Sequence, residues 1–195
     1  MKKPVLFIAL AFITLWSCKP ESTAPAASTT SETMTDYASE GQVITKAVFA
    51  RLSKELMAAI NADGPSGAID YCQINALPIT DSVATAFGVT VQRVTDRARN
   101  PLNKADSDDI NIMSQYRAAI AASEELKGKV LNQDNQHIYY APIRINGLCL
   151  QCHGSQDTDI SSETLTTIQS KYPEDQATGY VAGDLRGLWK VSFRD

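Results

Sequence analysis

The chain has 195 residues, 44% of them hydrophobic and 21% charged, with 18 Lys and Arg against 22 Asp and Glu and a formal net charge of −4 at pH 7. That acidic balance argues against nucleic acid as a partner. The length allows one domain with a sizeable core, and no internal repeat or second linker divides it.

Lys2 and Lys3 precede an apolar run from Val5 to Trp16, which is too short to span a bilayer as a helix. The run ends at Leu15-Trp16-Ser17-Cys18, which resembles the lipobox of bacterial lipoproteins, with Trp16 an unusual occupant. This predicts a signal peptide over 1–17 and lipidation at Cys18. Each buried methylene of an acyl chain adds about 0.8 kcal/mol of membrane affinity, so a multiply acylated chain stays anchored. An ordinary secretory signal is the alternative, and both export the chain. Lys19 after Cys18, by analogy with enteric sorting rules, leans towards the periplasmic side of an outer membrane. Residues 18–35 are rich in Ser, Thr, Ala and Pro without apolar periodicity, which predicts a disordered tether. The domain is then 36–195.

From Asp36 to Ala62, the residues Ile44, Val48, Leu52, Leu56 and Ile60 recur with helical period. Gly64-Pro65-Ser66-Gly67 predicts a turn, and Ala68 to Asn75 a short helix with Ala68, Ile69 and Cys72 on one inward face. Pro78 to Phe87 predicts another helix ended by Gly88, and Val89 to Val94 a strand. Asp106 to Leu126 reads as a helix striped by Ile112, Tyr116 and Ile120. His137 to Ile145 reads as a strand in which Pro142 implies an edge or a bulge. Gly187 to Arg194 alternates, with Trp189, Val191 and Phe193 on one face. Few strands among several helices predict an α+β fold with an antiparallel sheet.

The chemistry lies in Cys149-Leu150-Gln151-Cys152-His153. Two thiols three residues apart can each add to a haem vinyl group, and the next histidine then lies under the iron, so this is the attachment signature of one c-type haem. A zinc site would want a fourth protein ligand, with only the distant Cys72 and His137 on offer. A thioredoxin-like dithiol gains nothing from the adjacent histidine. The export signal agrees with haem, because c-type attachment takes place outside the cytoplasm. With Cys18 assigned to lipid and two cysteines to thioethers, Cys72 is left alone in an oxidising compartment. It is either a small buried hydrophobe or the sixth ligand to the iron. His137, Met57 and Met113 are the other candidates, each also explained by exposure or core packing.

A longer ordered pattern carries a resemblance. It runs through Gly67-Ala68-Ile69-Asp70-Tyr71-Cys72, Arg97-Ala98-Arg99-Asn100-Pro101-Leu102-Asn103 and Tyr140-Ala141-Pro142-Ile143. It continues through Cys149 to Gly154 and ends at Gly179-Tyr180-Val181-Ala182-Gly183-Asp184-Leu185-Arg186-Gly187. From about residue 40 to the C-terminus the chain resembles the small periplasmic c-type haem proteins with a PAS-like fold, catalogued as a domain of unknown function. The resemblance implies a PAS-like antiparallel sheet with flanking helices and one covalently attached haem c. It also implies His153 and Cys72 as axial ligands. A thiolate opposite His153 would favour the ferric state and lower the potential.

Arg97, Arg99 and Arg144 are candidate partners for the haem propionates, since guanidinium forks suit carboxylates. The Gly183 to Gly187 segment predicts a tight turn in which Asp184 or Arg186 braces the haem loop. Three functions compete. An electron carrier with an unknown redox partner ranks first. A redox or gas sensor acting through a separate protein ranks second. A peroxidase-like enzyme ranks last, because it needs an open coordination site and a distal acid–base group.

Overall fold

The computed structural model describes residues 28–133 and 135–194; the signal peptide expected over 1–17 and the lipidation expected at Cys18 lie outside them. A long helix, α1 (Ser28–Ala86), is interrupted at Asp63 and Gly64 and so has two arms, 28–62 and 65–86. Gly64 holds φ 68° and ψ −177°, a conformation that essentially only glycine adopts, and Pro65 restarts the helix with its fixed φ. The helix already includes residues 28–35, the last eight of what the sequence predicts as tether, where no proline interrupts the lead-in to the apolar stripe. The two short helices expected at 68–75 and 78–87 form one continuous arm. Pro78 deprives only the carbonyl of Ile74 of its usual partner, and Ile74 is 71% exposed, so water can replace it. Gly88, at φ 70°, ends the helix in a Schellman motif: Val89 N–H donates to Ala84 O and Gly88 N–H to Thr85 O.

The remaining elements are β1 (Thr90–Val94), α2 (Ser107–Ala121), β2 (Lys129–Gln133), β3 (Gln136–Arg144), α3 (Leu150–His153), α4 (Ser162–Lys171) and β4 (Leu185–Ser192). α2 opens with a reciprocal capping box between Asp106 and Asp109. It stops five residues short of expectation because Ser123 turns left-handed and Glu124 N–H caps back onto Ala119 O. The strands form one antiparallel sheet in the order β1-β4-β3-β2. First and last strands are neighbours, and the fold is the α+β, PAS-like antiparallel sheet with flanking helices. Strand β2 is missing from the sequence reading; it joins β3 through the two residues between the Gln133–Gln136 pair. Pro142 is tolerated because β2 pairs β3 only as far as Tyr140, and a bulge follows at Ile143 and Arg144.

Strand alternation sends side chains to two cores. Val91, Tyr139, Trp189, Val191 and Phe193 meet Ile44 and Val48 of α1, so the three residues expected on one face of β4 do share it. Tyr140, Leu185 and Leu188 meet Ile112, Met113 and Tyr116 of α2 on the other face. The α1 stripe changes task along its length. Ile44 and Val48 are fully buried on the sheet, whereas Leu52, Leu56 and Ile60 line a cavity beyond it.

Candidate functional site

The motif is placed by a capped turn. Asn146 Oδ1 accepts from the N–H groups of Leu148 and Cys149, starting a short 3-10 turn, Gly147–Cys149, that runs directly into α3. Within this helical stretch Cys149 and Cys152 stand three residues apart and so share a face. Both are half-buried, and both line the cavity with His153.

His153 is fixed from behind. Its Nδ1 donates to the carbonyl of Ala177 at 2.7 Å, which leaves Nε2 unprotonated. The carbonyl of His153 accepts from Tyr180 N–H at 2.9 Å, and that of Gly154 from Gly179 N–H at 2.7 Å. Tyr180 stands edge-on to the imidazole, with centroids 6.4 Å apart. Burial, followed by the charges of Arg186 and Arg99, pushes the imidazole well below its usual pKa. It is therefore neutral at neutral pH, as a metal-binding imidazole must be.

Opposite surfaces come from distant parts of the chain. The cavity of about 300 Å³ is walled by α1, the sheet end and the motif segment. Cys72, on the second arm of α1, lines it together with Cys152 and His153. Burial raises the thiol of Cys72, while Arg93 and Arg99 pull it down. Cys152 is raised by burial and lowered by Arg99. Among the described residues no group of three or more His, Cys, Asp or Glu could itself hold a metal ion. A zinc site of Cys72, Cys149, Cys152 and His153 thus has no supporting geometry.

The other sequence candidates separate. His137 is not in an exposed polar run. It sits on β3 opposite Asn132, stacked on Tyr37 at 4.2 Å and away from the cavity lining. Met113 is fully buried in the α2 core, and Met57 is exposed at the surface of α1. Arg99 and Arg144 line the cavity, but with their guanidinium groups engaged. Arg99 grips Asp175 through two hydrogen bonds at 3.1 and 3.0 Å and donates to Cys152 O at 2.6 Å. Arg144 donates twice to Gly183 O.

Arg97 does not line the cavity, because its guanidinium is spent on the loop behind His153. It donates to the carbonyls of Gln176 and Thr178, which flank Ala177, and lies 4.2 Å over the Tyr180 ring. Asp184 closes its own turn by accepting from Val181 N–H at 2.9 Å. Arg186 reaches Thr95 Oγ1 and Arg97 O, and so ties β4 to the segment that carries Arg97.

Two features escape sequence reasoning. Arg93 lines the cavity, and among the described residues it has no hydrogen-bond or ion-pair partner. Its signal was an arginine on the same face of β1 as buried Val91, opposite Trp189. Gly187 lets β4 pass close to β1 at the cavity wall, since a Cβ there would lie 2.6 Å from Val94 O.

The donor set fits a covalent haem. Two thiols share a face, a neutral imidazole is oriented by a carbonyl, apolar walls come from Leu56, Ile60, Ile143 and Trp189, and Arg186 Nε is buried without a partner among the described residues. An acidic, flat, apolar guest satisfies all of these at once.

No curated protein matches the chain. The crystal structure of the cyanobacterial heme-protein Tll0287 is similar in fold, with a TM-score of 0.56 at 23% sequence identity, covering 80% of this chain and 95% of that one. A family model described as Tll0287-like: Tll0287 matches residues 20–194, so the chain belongs to the Tll0287-like family.

Proposed function

We propose that this protein is an exported, lipid-anchored carrier of one covalent haem c, serving electron transfer on the periplasmic side of a bacterial membrane. The observation that carries the reading is the meeting of Cys72 with Cys149, Cys152 and His153 around one cavity. The match to a family that includes a heme-protein supports it.

Cys149 and Cys152 would hold the macrocycle through thioethers, and His153 Nε2 and Cys72 Sγ would supply donors to its iron. Haem supplies reversible one-electron chemistry when bound. The chain's own residues do the rest. The Ala177 carbonyl keeps the imidazole in one tautomer, Arg99 steadies the Cys152 backbone, and Leu56, Ile60 and Trp189 keep water from the cavity wall. His137, the one histidine besides His153 that could act as a distal acid–base group, is not in the cavity lining, which favours a carrier over a peroxidase.

The test is expression of the full chain with a c-type haem maturation system. Haem that stays with the polypeptide on a denaturing gel, and is lost in Cys149→Ala/Cys152→Ala, is expected. Haem that leaves the wild-type chain on denaturation contradicts covalent attachment.

A further inference from the structure

The cavity holds more cationic charge than the protein neutralises. Arg99 has Asp175, and Arg144 has the Gly183 carbonyl. Arg93 and Arg186 keep donors in reserve. Arg93 has no hydrogen-bond or ion-pair partner among the described residues, and Arg186, whose Nη1 donates to Thr95 Oγ1 and Arg97 O, has a buried Nε with nothing to donate to and no counter-ion. They come from neighbouring strands, β1 and β4, and line the same cavity. Burial depresses the pKa of both guanidiniums; Cys72 and then Tyr172 oppose this at Arg93, and Tyr180 opposes it at Arg186 while Arg99 and Arg93 add to it. Guanidinium nonetheless remains charged in proteins. A half-buried guanidinium without a counter-ion and a buried Nε without an acceptor both cost stability, so the arrangement suits an anionic guest.

We propose that Arg93 and Arg186 form the carboxylate-binding site of the cavity and take the two haem propionates, in place of Arg97, Arg99 and Arg144. This rests on the haem reading above and fixes how the macrocycle is turned: thioether edge on α3, acidic edge towards β1 and β4. A planar fork suits a carboxylate through two parallel hydrogen bonds, which an ammonium cannot reproduce. Tyr180 lies beneath Arg186, 5.5 Å from its guanidinium carbon, and holds that fork in place.

The test uses full-length holoprotein and the variants Arg93→Gln, Arg93→Lys and Arg186→Gln. Covalent attachment keeps the haem on the chain whatever the arginines do, so the readout is the propionate bending bands in resonance Raman spectra, with the midpoint potential beside them. Arg93→Gln and Arg186→Gln are expected to shift those bands to the position of unbonded propionates and to lower the potential. Arg93→Lys should retain most of the potential and lose the band position. Unmoved bands in both glutamine variants, with haem attached, overturn the proposal alone. A wild-type chain that carries no haem overturns the haem reading beneath it.

Discussion

At the scale of single residues, the site depends on groups that never touch the cavity. Arg97 is the clearest. Its bonds to the carbonyls on either side of Ala177 hold the one oxygen that orients His153. Arg97→Gln should therefore cost about 1.5–3 kcal/mol, the worth of hydrogen bonds from a charged group. Thermal denaturation would read this as a drop of several degrees. The holoprotein should also show altered low-spin EPR g-values, which a loss of stability alone would not produce. That Cys149, Cys152 and His153 lie together was legible in the sequence because they are neighbours on one short helical stretch. The inward side of Cys72 was legible from the apolar face it shares with Ala68 and Ile69. The arginines were not, since nearness along the chain says nothing about which side of a strand a guanidinium takes. Arg97, a candidate for the propionates, is a brace; Arg93, which the sequence reading gave no role, lines the cavity.

At the scale of elements, the kink in α1 brings Cys72 to the site. The first arm lays Leu52, Leu56 and Ile60 along the cavity, and the kink at Asp63 and Gly64 lets Ile69 and Cys72 of the second arm line it as well. A Cβ at Gly64 meets no atom within 4 Å, so Gly64→Ala isolates the backbone term. It should destabilise the fold by about 1–3 kcal/mol, measured by urea denaturation, with no packing contribution. The stripe and the Gly-Pro break were both readable from sequence. Strand β2 was not. Its five residues are nearly all half-buried and mix Lys, Asn and Gln with Val and Leu, so neither periodicity stands out. It exists because β3 offers it a paired edge.

At the scale of the whole molecule, the sheet is clamped on its α2 side by a polar cluster under the core. Lys190 bonds to Asp109 at 2.8 Å and Asp106 at 3.2 Å, and Tyr140 donates to Asp109 at 2.9 Å. The Asp109 backbone N–H, outweighing burial and aided by Lys190, holds the Asp106 carboxyl below its usual 3.8. A depressed folded-state value means stability that is present above the ordinary aspartate pKa and lost as pH falls through the folded one. Acid unfolding should accordingly be steeper in the wild type than in Asp106→Asn below about pH 4, and the two slopes should agree near neutrality. Intrinsic fluorescence against pH checks this. The α+β class followed from element order. The three layers, with the cavity at the end of one, depend on contacts between distant segments that no local pattern encodes.

The central claim is that Cys72 and His153 face one iron. Ferric EPR of the holoprotein, recorded for the wild type and for Cys72→Ser, tests it most directly. The account predicts a low-spin thiolate signal in the wild type that disappears in the variant. A wild-type spectrum that the substitution leaves unchanged would contradict it, and would return Cys72 to the role of a small apolar residue in the cavity wall.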